Sequence, residues 1–502
     1  MFYSVQHLPY ATRFSRGALS ALIIATLAAC ASSGAQHTHA KPIDTDRLAV
    51  AESLSSATLS AASWPSDAWW TDFGDDQLSR LMGEALRGQP SLRMAEARVR
   101  EAEAVAGIVK STLYPQINGS LKSTQQHFSE HALVPRPIAG TWDSVNDASL
   151  GVNYELDFWG RNRAAVDAAL DRASATEIDL QAARLILTTT LARTYLQLDL
   201  AYAQLDLAQD TLAQREKTLE LTRQRVAAQI DSQLELTQAE AALPEIRERI
   251  SSIHESIALI NNQIASLQGK GPDAGLTLQR PHLAHVGPVA LRTDLPAELI
   301  GRRPDVIAER WRVEAARQDI KIAKAQFYPN VSLDAFVGSQ SLGLSEFLSG
   351  GSRVLGIGPA ISLPIFEGGR LRSNLGAHQA EYDAAVEKYN ATVITAIHDV
   401  VDQLVSLHWL EQEIQEQDEA LRLTQHAYDL ATNRYRSGLA NYLQVLSTES
   451  QVLAQKRLVI ESQTRQRELR LNLIRALGGG YAPSNAGSRQ RPPTLTSDGA
   501  KS

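Results

Sequence analysis

A seven-residue spacing runs through two long stretches of this chain and limits what it can build. Leu191, Leu198, Leu205, Leu212, Leu219 and Val226 fall every seventh residue, with Tyr195 and Tyr202 at the intervening position, which is the spacing of a coiled-coil seam. The same register returns at an offset of 209 as Val400, Leu407, Ile414, Leu421, Tyr428 and Tyr435. A third run, Leu243, Ile246, Ile250, Ile253, Ile257, Ile260, Ile264 and Leu267, steps three and four alternately and marks one apolar helix face. A helix from about 161 to 230 is roughly 100 Å long at 1.5 Å per residue. No compact globule accommodates such a rod.

The returning register is part of a duplication. Pro90 and Tyr114-Pro115 recur as Pro304 and Tyr328-Pro329 at an offset of 214, residues 150–156 map onto 357–363 at 207, and Gly160-Arg161 matches Gly369-Arg370 at 209. Within each half the hydrophobic period switches from helical to alternating and back. Ile117, Gly119 and Leu121 alternate with Gln116, Asn118, Ser120 and Lys122, while Leu150, Val152, Tyr154, Leu156 and Phe158 alternate with Ser149, Gly151, Asn153, Glu155 and Asp157. Val331, Leu333 and Ala335 oppose Asn330, Ser332 and Asp334, and Leu355, Ile357, Ile361 and Leu363 oppose Gly356, Gly358 and Ser362. These predict four strands with one apolar face, the last weakened by Pro359.

The N-terminus predicts export. Arg13 and Arg16 precede an apolar run from Gly17 to Ala29, too short for a bilayer span but suited to a secretory signal. It ends in Leu27-Ala28-Ala29-Cys30, which resembles a bacterial lipobox, and Cys30 is the only cysteine. Cys30 is therefore expected to carry a covalent lipid such as palmitate, and Ala31 after it points to the outer membrane. The formal charge of −7 becomes −9 once Arg13 and Arg16 leave with the leader, and a mildly acidic chain without Lys/Arg tracts has no footprint for nucleic acid. The sequence contains no thiol nucleophile within a fold, no Gly-rich phosphate loop and no metal-spaced helical His/Glu pair, so no enzyme, no cofactor and no metal are expected. His37 and His39 read as solvated linker, Asp75-Asp76 as a helix cap, and Trp64, Trp69 and Trp70 as packing.

Apolar/polar strands of this length can cross a bilayer with one face toward lipid. Four strands cannot close a barrel and an open edge is not tolerated in hydrocarbon, so subunits must pool strands, giving eight from two chains or twelve from three. The competing architecture is a soluble β-layer beside a lipid-anchored coiled coil that makes no pore.

Several fragments in order resemble the TolC/NodT-type outer-membrane factors. Trp69-Trp70, Phe73 and Leu78 look like the family's aromatic opening, and Leu295-Pro296, Glu298-Leu299 and Arg302-Arg303-Pro304-Asp305-Val306 like its inter-repeat signature. Gln326-Phe327-Tyr328-Pro329 and the segment Leu363 to Arg370 look like its strand entry and exit, and Arg434-Tyr435-Arg436-Ser437-Gly438-Leu439 with Tyr442-Leu443 like its periplasmic hairpin. The resemblance covers about 64–480. It implies a mainly α protein with a transmembrane β-barrel: a homotrimer with a twelve-stranded barrel on a long α-helical periplasmic tunnel and an equatorial girdle. It also implies an inner-membrane transporter and a periplasmic adaptor as partners, and drug efflux as the function. A duct for protein secretion or metal-ion export is the alternative; Met1, Met82 and Met94 are the only methionines, few for a soft-metal path.

The expected organisation is a signal peptide over 1–29, a tether over 30–63, repeats over 64–275 and 304–480 joined by a linker over 276–303, and a disordered tail over 481–502. Strands are expected at about 115–128, 145–158, 329–340 and 354–365, and helices at about 90–114, 161–229, 233–268, 304–328, 369–437 and 442–477. Helix hairpins fall near Gln229–Gln233 and Gly438–Tyr442, where the heptads pause. The resemblance implies a gate there: Leu443 matches a hydrophobic ring, Gln444 and Ser447 stand where acidic rings would be, Glu235 keeps an acid in the first hairpin, and Tyr435 is expected to bond Glu235. Gln229, Ile230, Asp231 and Ser232, with Gly438, Leu439, Ala440 and Asn441, are the expected adaptor-contacting tips. Gln229 stands where the second hairpin has Gly438.

Overall fold

A computed structural model describes residues 38–44, 48, 64–131, 133–284 and 301–482. Cys30, His37, the linker motif Leu295 to Leu299 and the tail beyond 482 lie outside these residues.

Helices dominate. In chain order they are α1 (Asp76–Gly88), α2 (Pro90–Lys110), α3 (Arg161–Ala227), α4 (Gln233–Leu267), α5 (Pro304–Ala325), α6 (Arg370–Arg436) and α7 (Tyr442–Ala476). The duplication is visible in their lengths, since α3 and α6 each have 67 residues and α4 and α7 each have 35. Strands β1 (Gln116–His127), β2 (Trp142–Leu156), β3 (Asn330–Leu342) and β4 (Arg353–Ser362) form one antiparallel sheet in the order β1-β2-β3-β4.

The element ends have local causes. Asp75 caps α1 by accepting from the Leu78 amide at 3.0 Å. α2 ends at Lys110, short of the expected 114, and closes in a 3-10 turn over Ser111–Leu113, because Pro115 drives Tyr114 into extended backbone (φ −115°, ψ 152°). Tyr328-Pro329 follows the end of α5 at Ala325 for the same reason. β2 begins at Trp142, earlier than expected, because its register with β1 continues to His127. β4 stops at Ser362, ahead of Pro364.

Two compact units are present. One comprises residues up to 41 with 100–174 and 311–388, and the other residues 42–99, 175–310 and 389–502. Each draws on both repeats, so the repeats are units of sequence, not of packing. The second unit holds the larger core: Trp69, Phe73, Leu78, Leu81 and Met82 pack on Leu191, Tyr195 and Leu198 of α3 and on Ile253, Ile257 and Ile264 of α4. The third apolar run of the sequence is the α4 side of this core. Asp75 sits at its edge, where burial opposes its charge, yet the amides of His282 and Leu78 and the Tyr195 hydroxyl outweigh that and hold the carboxyl below its ordinary value. Trp64, half-buried, donates Nε1–H to the Leu477 carbonyl at 2.9 Å. The buried Arg303 of the linker motif holds Asp305 at 2.7 Å and Asp399 at 3.0 Å and reaches the Ala476 carbonyl at 3.3 Å, tying the start of α5 to α6 and to the end of α7.

Candidate functional site: strand faces and paired hairpins

Pairing sorts the sheet into two faces. On one, Ile117 lies opposite Val152, Val152 opposite Ala335, and Ala335 opposite Ile357; the next row is Gly119, Leu150, Val337 and Leu355. A further row runs Leu156, Val331 and Ile361. Ile117, Leu150, Val337, Leu355, Ile357 and Ile361 are exposed, Leu355 and Ile357 each at 77%, while Val152, Leu156, Val331 and Ala335 are half-buried. The other face carries Gln116, Asn118, Ser120 and Lys122 of β1, Ser149, Asn153 and Glu155 of β2, and Ser332 and Asp334 of β3. Its side chains bond one another, as in Ser120 with Ser149 at 2.8 Å and Asn153 to Asp334 at 2.5 Å. Phe336 breaks that polarity; it covers Gly356, where a Cβ would meet the ring at 2.7 Å. Among the described residues β1 and β4 each pair on one side only. An apolar, exposed face on a sheet with two open edges is an incomplete membrane-crossing unit.

Below the strands, the turn into α3 is braced by aromatic stacking and ion pairs. Trp159 stacks on Tyr328 with centroids 4.6 Å apart and donates Nε1–H to the Pro329 carbonyl at 2.8 Å. Arg161 meets both Glu155 oxygens at 2.6 Å, and its repeat counterpart Arg370 pairs with Glu367.

The two helix hairpins close alike. The Ile230 amide donates to the Arg225 carbonyl at 2.9 Å and the Leu439 amide to the Arg434 carbonyl at 2.8 Å, the bond that ends a helix when the next residue is left-handed. Gly438 supplies this at φ 75°, and Gln229 adopts it at φ 57° despite its Cβ, at a cost of about 1 kcal/mol. The departure at Gln229 therefore leaves the turn geometry intact.

Between the hairpins lies a cluster that the sequence reading missed. Arg225 donates Nε–H and an Nη2–H to the two oxygens of Asp231 at 2.8 and 2.9 Å, and an Nη1–H to the Tyr435 carbonyl at 2.6 Å, with its guanidinium 4.2 Å over the Tyr435 ring. The Tyr435 phenol, fully buried, donates to Asp231 at 2.6 Å and lies 3.0 Å from Thr222 Oγ1. Arg225 holds the Asp231 carboxyl below its ordinary value, against burial. Burial and the Asp231 bond push the Tyr435 hydroxyl up to about 12.

This corrects two expectations. Tyr435 bonds Asp231, not Glu235, because Glu235 is occupied in its own helix: the Ser232 amide donates to it at 2.9 Å while Ser232 Oγ accepts from the Leu234 amide at 3.2 Å, a capping box. Asp231 is no exposed tip either, since its side chain is 7% exposed. Of the remaining tip residues, Gln229, Ile230, Ser232, Leu439 and Asn441 are open, and Ala440 packs against the core of the hairpins. Leu443 is 60% exposed, and Gln444 and Ser447 are exposed with it on α7. Asn441 caps that helix by accepting from the Gln444 amide at 3.2 Å. The asymmetry of the repeats was the available signal, because Asp231 has Ala440 at its counterpart position.

Further along the hairpin helices, Glu449 is buried and ion-paired with Arg215 at 3.3 Å. Burial raises its carboxyl above the ordinary value, with Arg215 opposing.

A sheet with an exposed apolar face, together with long duplicated helices that turn back in paired hairpins, defines a membrane channel subunit, and the comparisons specify the class. The outer membrane efflux protein family profile matches residues 81–270 and again 295–479, and the chain belongs to that family. The fusaric acid resistance protein FusA of Burkholderia cepacia is 40% identical over 372 residues, 73% of this chain and 70% of its own length. The multidrug resistance outer membrane protein MdtP of Escherichia coli O6:H1 is 29% identical over 477 residues, 92% of this chain and 95% of its own. The crystal structure of the outer membrane protein VceC from Vibrio cholerae matches with a TM-score of 0.79 at 38% identity, covering 83% of this chain and 100% of that one. The protein is an outer-membrane efflux channel, in a family of channels and not of enzymes.

Proposed function

We propose that three copies pool their strands into one twelve-stranded barrel, and that this trimer is the passive exit duct of a tripartite pump. The observation that carries the reading is the exposed apolar sheet face bounded by two unpaired edges, since copies pairing β4 to β1 remove both edges at once. An inner-membrane transporter feeds the duct through a periplasmic adaptor that meets the exposed hairpin residues. Leu443 and the latch around Tyr435 close the resting tips, and Cys30 carries the lipid that anchors the N-terminus. The likeness to FusA and MdtP favours small organic toxins as cargo, with fusaric acid as the first compound to test.

The test pairs a reconstituted channel with a deletion strain. Cross-linking should give a trimer, planar bilayers should show single-channel conductance, and loss of the gene should lower tolerance to fusaric acid, restored by the wild type. A monomer that never conducts would overturn the duct and favour a lipid-anchored coiled coil without a pore.

A further inference from the structure

Residues 38–44 have no regular secondary structure, yet they are held against α6 through their main chain. The His39 amide donates to both oxygens of Asp383 at 3.0 and 3.1 Å, and the Ala40 amide to the same carboxylate at 3.0 Å. The Ile43 amide donates to Asn390 Oδ1 at 2.7 Å. Asp383 and Asn390 are seven residues apart on α6, so they share a face and stand about 10 Å apart along the axis. Three to four residues of extended chain span about 10–13 Å, which matches. The arm thus lies extended along the helix, its numbering rising away from the β4 end.

Length then constrains Cys30. His39 is nine residue steps along the chain from it, a reach of at most about 30 Å. Asp383 lies thirteen residues beyond Arg370, the first residue of α6, or about 20 Å down the axis. An extended arm can therefore bring Cys30 to the level where the strands end, with about 10 Å to spare. The clamp recognises backbone amides, so it depends on the carboxylate at 383 and little on the sequence of the arm.

We propose that Asp383 is a docking post for the N-terminal arm and sets how far the acyl anchor can reach relative to the strand ends. The post acts through the main chain of the arm and is a positioning residue for assembly. The proposal rests on the reading of Cys30 as the lipidated residue, and its test separates the two.

Hydrogen exchange on the full-length protein in membranes reads docking directly. The His39 and Ala40 amides should exchange at least tenfold more slowly in wild type than in Asp383→Ala, with Asp383→Asn between them, and Cys30→Ser should keep the protection. Unchanged protection in Asp383→Ala would overturn the docking post. Palmitate labelling separately tests Cys30, and its loss in wild type would sink the lipid reading while leaving the exchange result standing.

The role in reach is tested by epistasis in pulse-chase assembly of SDS-resistant oligomers. Deleting residues 33–37 leaves three residues between Cys30 and His39, four residue steps or about 13 Å, and should slow assembly several-fold. Combining that deletion with Asp383→Ala should restore the rate, because the released arm regains length. A deletion without effect, or a double variant as slow as the deletion alone or slower, would overturn the proposal.

Discussion

The phenol of Tyr435 donates to the carboxylate of Asp231 at 2.6 Å, and this bond ties the last turn of α6 to the turn that follows α3. Arg225 completes the arrangement by gripping the same carboxylate with two hydrogen bonds. Tyr435→Phe removes one bond and leaves Asp231 with its cation, a loss of about 1 kcal/mol. Arg225→Ala leaves a buried carboxylate without its cation, held only by the Tyr435 hydroxyl, a loss of about 3 kcal/mol. Resting conductance in a planar bilayer should accordingly rise modestly in Tyr435→Phe and strongly in Arg225→Ala. Equal, wild-type conductance from both trimeric variants would place the closure elsewhere.

The pH dependence of the closed state follows from the two shifted groups. The Asp231 carboxyl is depressed in the fold, so its contribution is complete above the unfolded value of about 3.9 and is lost as pH falls through the lower folded value. The Tyr435 hydroxyl is raised to about 12, so its contribution is complete below about 10 and is lost as pH climbs through the folded value. Resting conductance should therefore stay flat from about pH 5 to 9 and rise only outside that range. A conductance transition near pH 6 would argue against this latch as the gate.

Long-range order in this chain was readable because it is written in periods. Heptads fixed α3 and α6, alternation fixed the strand faces, and repeat offsets placed the hairpins. The Tyr435 partner was not readable, since choosing between Asp231 and Glu235 depends on which acid the local capping box consumes. A Ser at the cap and a Glu three residues on claim each other, and that leaves Asp231 for Arg225 and Tyr435. Asp383 was equally hidden, because main-chain recognition of the arm leaves no pattern in the arm's own residues.

Glu235 should matter less for closure than for charge. Its carboxylate is half-exposed, the Ser232 bonds hold its pKa below the ordinary value, and Gln can also serve in a capping box. Glu235→Gln should leave resting conductance and trimer stability unchanged and reduce cation over anion permeability, measured as a shift in reversal potential under a salt gradient. Loss of the trimer would show that the residue is structural instead.

The two faces of the sheet can be separated by charge. Leu121→Arg or Val152→Arg places a guanidinium on the apolar face, at a cost of about 2–4 kcal/mol near the bilayer midplane. Ser120→Arg or Asn153→Arg places it on the polar face, where Asp334 is within reach of position 153. Yields of heat-resistant oligomer in the outer membrane should fall for the first pair and hold for the second, which should instead lower single-channel conductance. Matching assembly defects in all four would contradict the assignment of the faces.

Asp171 carries the opposite sign from Asp231. Burial, then the neighbouring charges of Glu314 and Asp167, push its carboxyl up to about 6, while Lys321 and Arg172 pull the other way. Glu314 is itself buried, 5% exposed, so water does little to screen the pair. With its folded value above the unfolded one, Asp171 favours the folded state most below about pH 4, and that advantage is lost as pH rises through about 6. At neutral pH the ionised carboxylate is a burden that an amide lacks. Asp171→Asn should therefore raise thermal stability at pH 7.5 by about 1 kcal/mol, the full shift being discounted for partial exposure, and should flatten the dependence between pH 5 and 7. Melting curves of the assembled protein at pH 5 and 7.5 decide the matter: a variant less stable than wild type at pH 7.5 would mean that the Asp171 carboxylate is held by a favourable partner instead.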